Sequence, residues 1–144
     1  MISSLDAIKA INRERGNAIV VNTMTPNRYW GSVTEQPDLD LPIFGAMGKA
    51  SSVALGLALA RPDRRIVVLD GDGALLMNLG ALVTAAGAAP DNLVHIVFED
   101  GVYFTTGGQP VPASGRFDLA TVARGAGFAA SYSFDDLEDL ASEL

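Results

Sequence analysis

An aspartate set between two glycines, Gly71-Asp72-Gly73, stands between an apolar run, Ile66-Val-Val-Leu69, and a second apolar stretch that begins at Ala74. Glycines at such a junction let backbone amides approach an anion, and a helix starting near Ala74 adds partial positive charge from its N-terminus. The acid inside the turn conflicts with a plain phosphate loop. Two like charges about 5 Å apart repel by roughly 3 kcal/mol at an effective dielectric near 20, so a carboxylate beside a phosphate is sensible only with a cation between them. Carboxylate and phosphate oxygens together suit magnesium. Asp100, 28 positions after Asp72, closes the next apolar run and offers a second carboxylate from an adjacent strand, and Val102 offers a backbone carbonyl in the turn beyond it.

Two other glycine loops are excluded. A Walker A loop needs Gly, four residues, then Gly-Lys-Ser/Thr. Here Gly48-Lys49 is followed by Ala50, and Ile43 stands where the first glycine belongs. The dinucleotide fingerprint G-x-G-x-x-G begins at Gly71 and Gly73 but meets Leu76 at its third glycine position.

The elements that must position these residues alternate. Leu5, Ile8 and Ile11 recur at helical spacing, with Ser3 and Asp6 as a capping pair and Gly16 as the stop. Strands are expected at Ala18–Asn22, Pro42–Phe44, Ile66–Leu69 and Val94–Phe98, with a short one near Phe128–Tyr132. The polar turn at 23–27 and a Pro-, Asp- and Glu-rich stretch to about Leu41 read as loop. Gly45-Ala46-Met47-Gly48 opens a helix of small residues in which Gly56 predicts close backbone packing. Further helices are expected at Ala74 to about Ala88 and Asp118–Gly125, and an acidic one ends the chain. Continuous apolar strands alternating with helices predict an α/β domain: a doubly wound, mostly parallel sheet with helices on both faces. Ligands in such sheets gather at the carboxyl ends of the strands, where the turn after strand one, GAMG, DGDG and EDGVYFTTGGQ converge.

Composition narrows the class further. The 144 residues are 49% hydrophobic and 19% charged, which suits one packed domain spanning 1–144. A net charge of −7 argues against a nucleic-acid surface. Five acids in the last ten residues read as a solvated helix face. The apolar runs are too short to cross a membrane, charged residues interrupt the start where a signal peptide would be apolar, and no cysteine is present, so a reducing, cytoplasmic setting is expected. His95, the one histidine, sits mid-strand between Val94 and Ile96 and reads as a core residue.

GAMG, GDG, the strand-four acid and TTGGQ, in that order, resemble the diphosphate-binding domain of thiamine diphosphate enzymes, within the group of the sulfopyruvate and phosphonopyruvate decarboxylases. The likeness covers about residues 18–140. It implies that Asp72, Asp100 and the Val102 carbonyl hold Mg²⁺. It also implies that the amides of Gly73 and Ala74 meet the diphosphate with Thr23 nearby, that Gly45, Ala46, Met47 and Gly48 form the cofactor loop with Met47 as its apolar prop, and that Gly71 and Tyr103 lie at the cofactor. Decarboxylation of a 2-oxo acid follows from the likeness, with Arg28 and Lys49 as candidates for an anionic substrate. No catalytic residue is assigned within this chain. The activating glutamate is expected from a separate pyrimidine-binding α-subunit, in a hetero-oligomer that is inactive without it.

Two features depart from the family. Glu99-Asp100 replaces the usual Asn-Asn, which adds attraction to the ion and repulsion from the diphosphate; a working site with altered metal preference is expected. The sequence also stops at Leu144, before the family's last strand and helix, so either the sheet is minimal or the sequence is truncated. Two alternative functions remain: the thiamine-binding subunit of a 2-oxoacid oxidoreductase, and a non-catalytic domain that kept the fold.

Overall fold

The computed structural model describes residues 1–144. Its sheet has four parallel strands in the order β2-β1-β3-β4, formed by β1 (Ile19–Thr23), β2 (Asp40–Ile43), β3 (Ile66–Gly71) and β4 (Leu93–Phe98). The order reverses direction between β1 and β3, which opens a crevice at the carboxyl edge there. Alternation along the strands supplies two cores. Val20, Val67 and Leu69 pack against Ile8, Ile11 and Trp30 of α1 (Ser4–Glu14) and α2 (Met24–Val33). Val21, Ile66 and Val68 face Ala50, Ala54 and Ala58 of α3 (Ala50–Ala60). A third cluster joins Leu75 of α4 (Asp72–Leu76), Leu82 of α5 (Gly80–Ala88) and Leu119 of α6 (Leu119–Ala126). A two-residue hairpin, β5 (Val102–Tyr103) with β6 (Gln109–Pro110), follows β4, and α7 (Leu137–Glu143) ends the chain.

The α/β expectation holds, and several local ones are corrected. The stretch after β1 is the helix α2, because Pro26 falls in its first turn, where a missing N–H breaks no helical bond. Trp30 is 1% exposed in the core, packed with Tyr29 and Val33 at helical spacing. No strand forms at 128–132; instead Ser131 donates to the Ala120 carbonyl and Arg124 to the Ser131 carbonyl, so the segment is bonded to α6 and its flank. The helix expected from Ala74 to Ala88 is two helices, joined by a tightly wound step in which Met77, Asn78, Ala81 and Leu82 donate three residues back. GAMG is a turn that precedes α3 and does not begin it. Gly56 faces open space, and the close approach of α3 to the sheet comes from Ala50, Ala54 and Ala58. Ser3 holds the N-cap position of α1 without a side-chain bond. The acidic end behaves as expected: Asp136 caps α7 by accepting from Glu138 and Asp139 amides.

One buried ion pair braces the start of the sheet. Arg15 Nη1 meets Asp40 Oδ1 at 2.7 Å, with the side chains 1% and 8% exposed. The same guanidinium donates to Thr34 Oγ1 and to the Ala18 and Leu39 carbonyls, and lies over the Trp30 ring. Removing one partner of such a pair strands the other charge in the interior. Arg15→Met should therefore cost about 3–5 kcal/mol, read as a lowered urea midpoint with an unchanged m-value.

Candidate functional site

Because all four strands are parallel, their carboxyl ends share one edge, and the loops leaving them contact one another. β3 runs directly into α4, so Asp72 is the first residue of a helix and is 4% exposed. Its Oδ1 accepts from the Gly73 amide and its Oδ2 from the Gly101 amide, both at 2.7 Å. One carboxylate thus ties the end of β3 to the turn after β4. The next residue back in that turn, Asp100, directs Oδ2 to the Thr25 hydroxyl at 2.7 Å, drawing in the first turn of α2.

Close approaches complete the cradle. A Cβ on Gly73 would sit 2.7 Å from the Tyr103 ring, so the ring lies directly against the backbone of the GDG turn. Gly48, at φ +74°, is pressed against Asn78, whose Nδ2 donates to the Gly48 carbonyl at 2.9 Å. That contact seats the GAMG turn on the step between α4 and α5, with Gly45 exposed, Ala46 and Met47 half-buried and Gly48 buried. Val102 and Tyr103 are half-buried in β5, and Ala74 is 1% exposed in the first turn of α4.

The site residues expected from sequence are thus gathered at one edge, in differing degrees of engagement. Thr23 is fully buried and its hydroxyl donates to the Ile43 carbonyl, so the hydroxyl that faces the acids is that of Thr25. No three acidic, histidine or cysteine side chains surround a common point. Arg28, one helical turn beyond Thr25, lies 4.6 Å from the Phe104 ring, while Lys49 is exposed just before α3. Sequence reasoning missed Thr25 and Asn78. The hydrogen bonds that recruit them cross 75 and 30 positions, and neither leaves a local pattern.

The electrostatics of the edge are one-sided. Asp72 has no cationic side chain paired with it; the arginine–carboxylate pairs of the structure are Arg15–Asp40 and Arg61–Asp63. Glu99 holds its proton above the usual carboxylate range, first because its carboxyl is partly removed from water and next because Asp72 and Asp118 repel its charged form. A buried anionic centre with two amide donors and no balancing base suits a hard divalent cation with oxygen ligands. The donor set therefore fits magnesium and a diphosphate.

Residues 18–144 match the family described as thiamine pyrophosphate enzyme, C-terminal TPP binding domain. The chain belongs to this family. It is 43% identical over 137 residues to the sulfopyruvate decarboxylase subunit beta of Methanothermobacter thermautotrophicus, covering 92% of this chain and 72% of that one. It is 48% identical over 127 residues to the phosphonopyruvate decarboxylase of Streptomyces hygroscopicus, covering 88% of this chain and 31% of that one. The chain therefore spans most of the named β-subunit and about a third of the phosphonopyruvate decarboxylase. Among solved structures, benzoylformate decarboxylase from Polynucleobacter necessarius superposes with a TM-score of 0.75 at 22% identity, over 97% of this chain and 29% of that one, a likeness of fold. No helix is long and apolar enough to cross a membrane.

The Glu99 environment yields a pH prediction. A carboxyl whose folded-state affinity for the proton is raised binds more protons folded than unfolded, so stability falls as pH climbs through its range. With chelator present, Glu99→Gln should melt higher than the parent near neutral pH. The difference should shrink as pH drops towards about 4, where the ordinary glutamate pKa lies; scanning calorimetry across that range checks it.

Proposed function

We propose that this chain is the thiamine diphosphate- and Mg²⁺-binding β-subunit of a 2-oxo acid decarboxylase acting on a substrate of the sulfopyruvate or phosphonopyruvate kind. Asp72 carries the reading: a buried carboxylate at a helix start, bonded to the amides of Gly73 and Gly101 and balanced by no basic side chain. Asp72, Asp100 and the Val102 carbonyl would hold the metal, and the amides of Gly73 and Ala74 would meet the diphosphate, that of Gly73 by exchanging its bond to Asp72 for one to phosphate. Gly71, Gly45, Ala46, Met47, Gly48, Thr23 and Tyr103 would complete the cofactor cradle. The bound cofactor supplies an electron sink for the pair released when CO₂ leaves.

The residues of this chain do the rest by position and charge. The turn at Gly48 and the ring of Tyr103 set the walls, and the apolar strands beneath exclude water. Arg28 and Lys49 are the candidate cations for a second acidic group on the substrate.

A separate pyrimidine-binding α-subunit would supply the activating glutamate, in a hetero-oligomer in the cytoplasm. Relatives named as β-subunits support this part of the reading. So do the large apolar side chains exposed around the same edge, Phe44 at 76%, Phe104 at 59% and Met77 at 58%, which another chain would cover. The names of the relatives favour a decarboxylase over an oxidoreductase.

The test is calorimetric titration of the chain, with its co-purifying partner, by thiamine diphosphate in the presence and absence of Mg²⁺. Binding should need the metal, and Asp72→Asn should weaken it at least 100-fold while the fold persists by circular dichroism. Metal-independent binding, no binding at all, or turnover of a 2-oxo acid by this chain alone would overturn the proposal.

A further inference from the structure

One buried polar pair lies directly beneath the site and has no part in the chemistry described so far. Asp70, the last side chain of β3 before the Gly71-Asp72-Gly73 turn, is 0% exposed. Its Oδ1 accepts from the Gly71 amide at 2.9 Å, so it holds the first amide of that turn. Its Oδ2 has no hydrogen bond, and neither has His95 Nε2 on β4, which lies 3.4 Å from it with its side chain 6% exposed. The parallel register sets His95 beside Val68, two residues before Asp70, so both side chains rise from the same face of the sheet.

A buried carboxylate short of partners costs several kcal/mol, and a leucine at either position would pack with no such cost. Packing therefore gives no reason for the pair. The turn above gives one. With the Gly71 amide held by Asp70, the next carboxylate, Asp72, is presented to the Gly73 and Gly101 amides at the edge. His95, 3.4 Å from the free Oδ2, is placed to keep Asp70 from rotating towards another donor.

We propose that Asp70 and His95 are a positioning pair: a Nε2–H on His95 steadies Asp70, and Asp70 fixes the turn that aims Asp72 at the cation. The link to cation binding rests on the function proposed above; the link to turn geometry does not. Neither residue touches the cofactor or the substrate.

The experiment compares wild type, His95→Leu and His95→Gln, since a glutamine amide can stand in for the Nε2 donor and leucine cannot. In metal-free protein, amide exchange at Gly71, Gly73 and Gly101 should quicken about tenfold or more in His95→Leu, with β1 amides unchanged, and return towards wild type in His95→Gln. Affinity for thiamine diphosphate with Mg²⁺ should follow the same order. Equal exchange at the turn in both variants overturns the pairing, as does acceleration spread evenly over the sheet, which marks ordinary destabilisation. If the exchange pattern holds while wild type binds no cofactor, the pair stands and the functional proposal falls. If wild type binds and both variants bind equally well, the pair does not position Asp72.

Discussion

The carboxylate of Asp72 is the joint on which the edge of the sheet depends. Strand pairing fixes β3 beside β4 as far as Gly71 and Phe98, but it leaves the chain beyond those residues free to diverge. Asp72 removes that freedom by holding the amide of Gly73 on its own helix and that of Gly101 across the gap. Hydrogen bonds to an ionised acceptor are about twice as strong as neutral ones, which suits a contact that must organise two loops. The same charge has a second effect. Held at 4% exposure with no base beside it, it repels the ionised form of Glu99, so the interaction that shapes the turn also concentrates negative charge there.

Much of this was legible in the residues. Strands buried on both faces read as largely apolar runs, and β1 and β3 announce themselves as such, while β4, half-buried at the edge of the sheet, still shows an apolar run around His95. Glycines with a steric task are also visible: Gly48 and Gly73 each have a side chain against the place a Cβ would take, and both stand in motifs. Gly56 shows the limit of that logic, because a glycine can be spare when neighbouring alanines already let the helix approach the sheet. Helix α2 was hidden by Pro26 and Gly31, though Trp30 and Val33, three apart, recorded its buried face. The segment at 128–132 has strand composition but no strand to pair with, and pairing is a property of the whole sheet.

The site divides along the same line. Asp72, Asp100 and the glycine turns stand out in the sequence through residue type and spacing, and folding gathers them at one edge. Thr25 and Asn78 enter only because folding brings a hydroxyl and an amide to groups far away in sequence. Asp70 and His95 combine both situations. Each is conspicuous as a polar residue in an apolar strand, yet their relation exists only in the parallel register that sets β3 against β4.

Charge placement then connects the edge to its proposed ligand. Glu99, Asp100 and Asp72 lie at the ends of two adjacent strands, whereas Arg28 is drawn over the Phe104 ring. A polyphosphate approaching these acids alone meets repulsion of several kcal/mol at short range, more than two or three amide hydrogen bonds return. A divalent ion reverses the sign of that interaction, because it is attracted to both the acids and the phosphate. Under the proposed function, metal and cofactor would therefore be coupled ligands at this edge, each raising the affinity for the other by the same factor, as linkage requires. An acid at position 100 in place of an amide would strengthen the first half of that coupling and oppose the second.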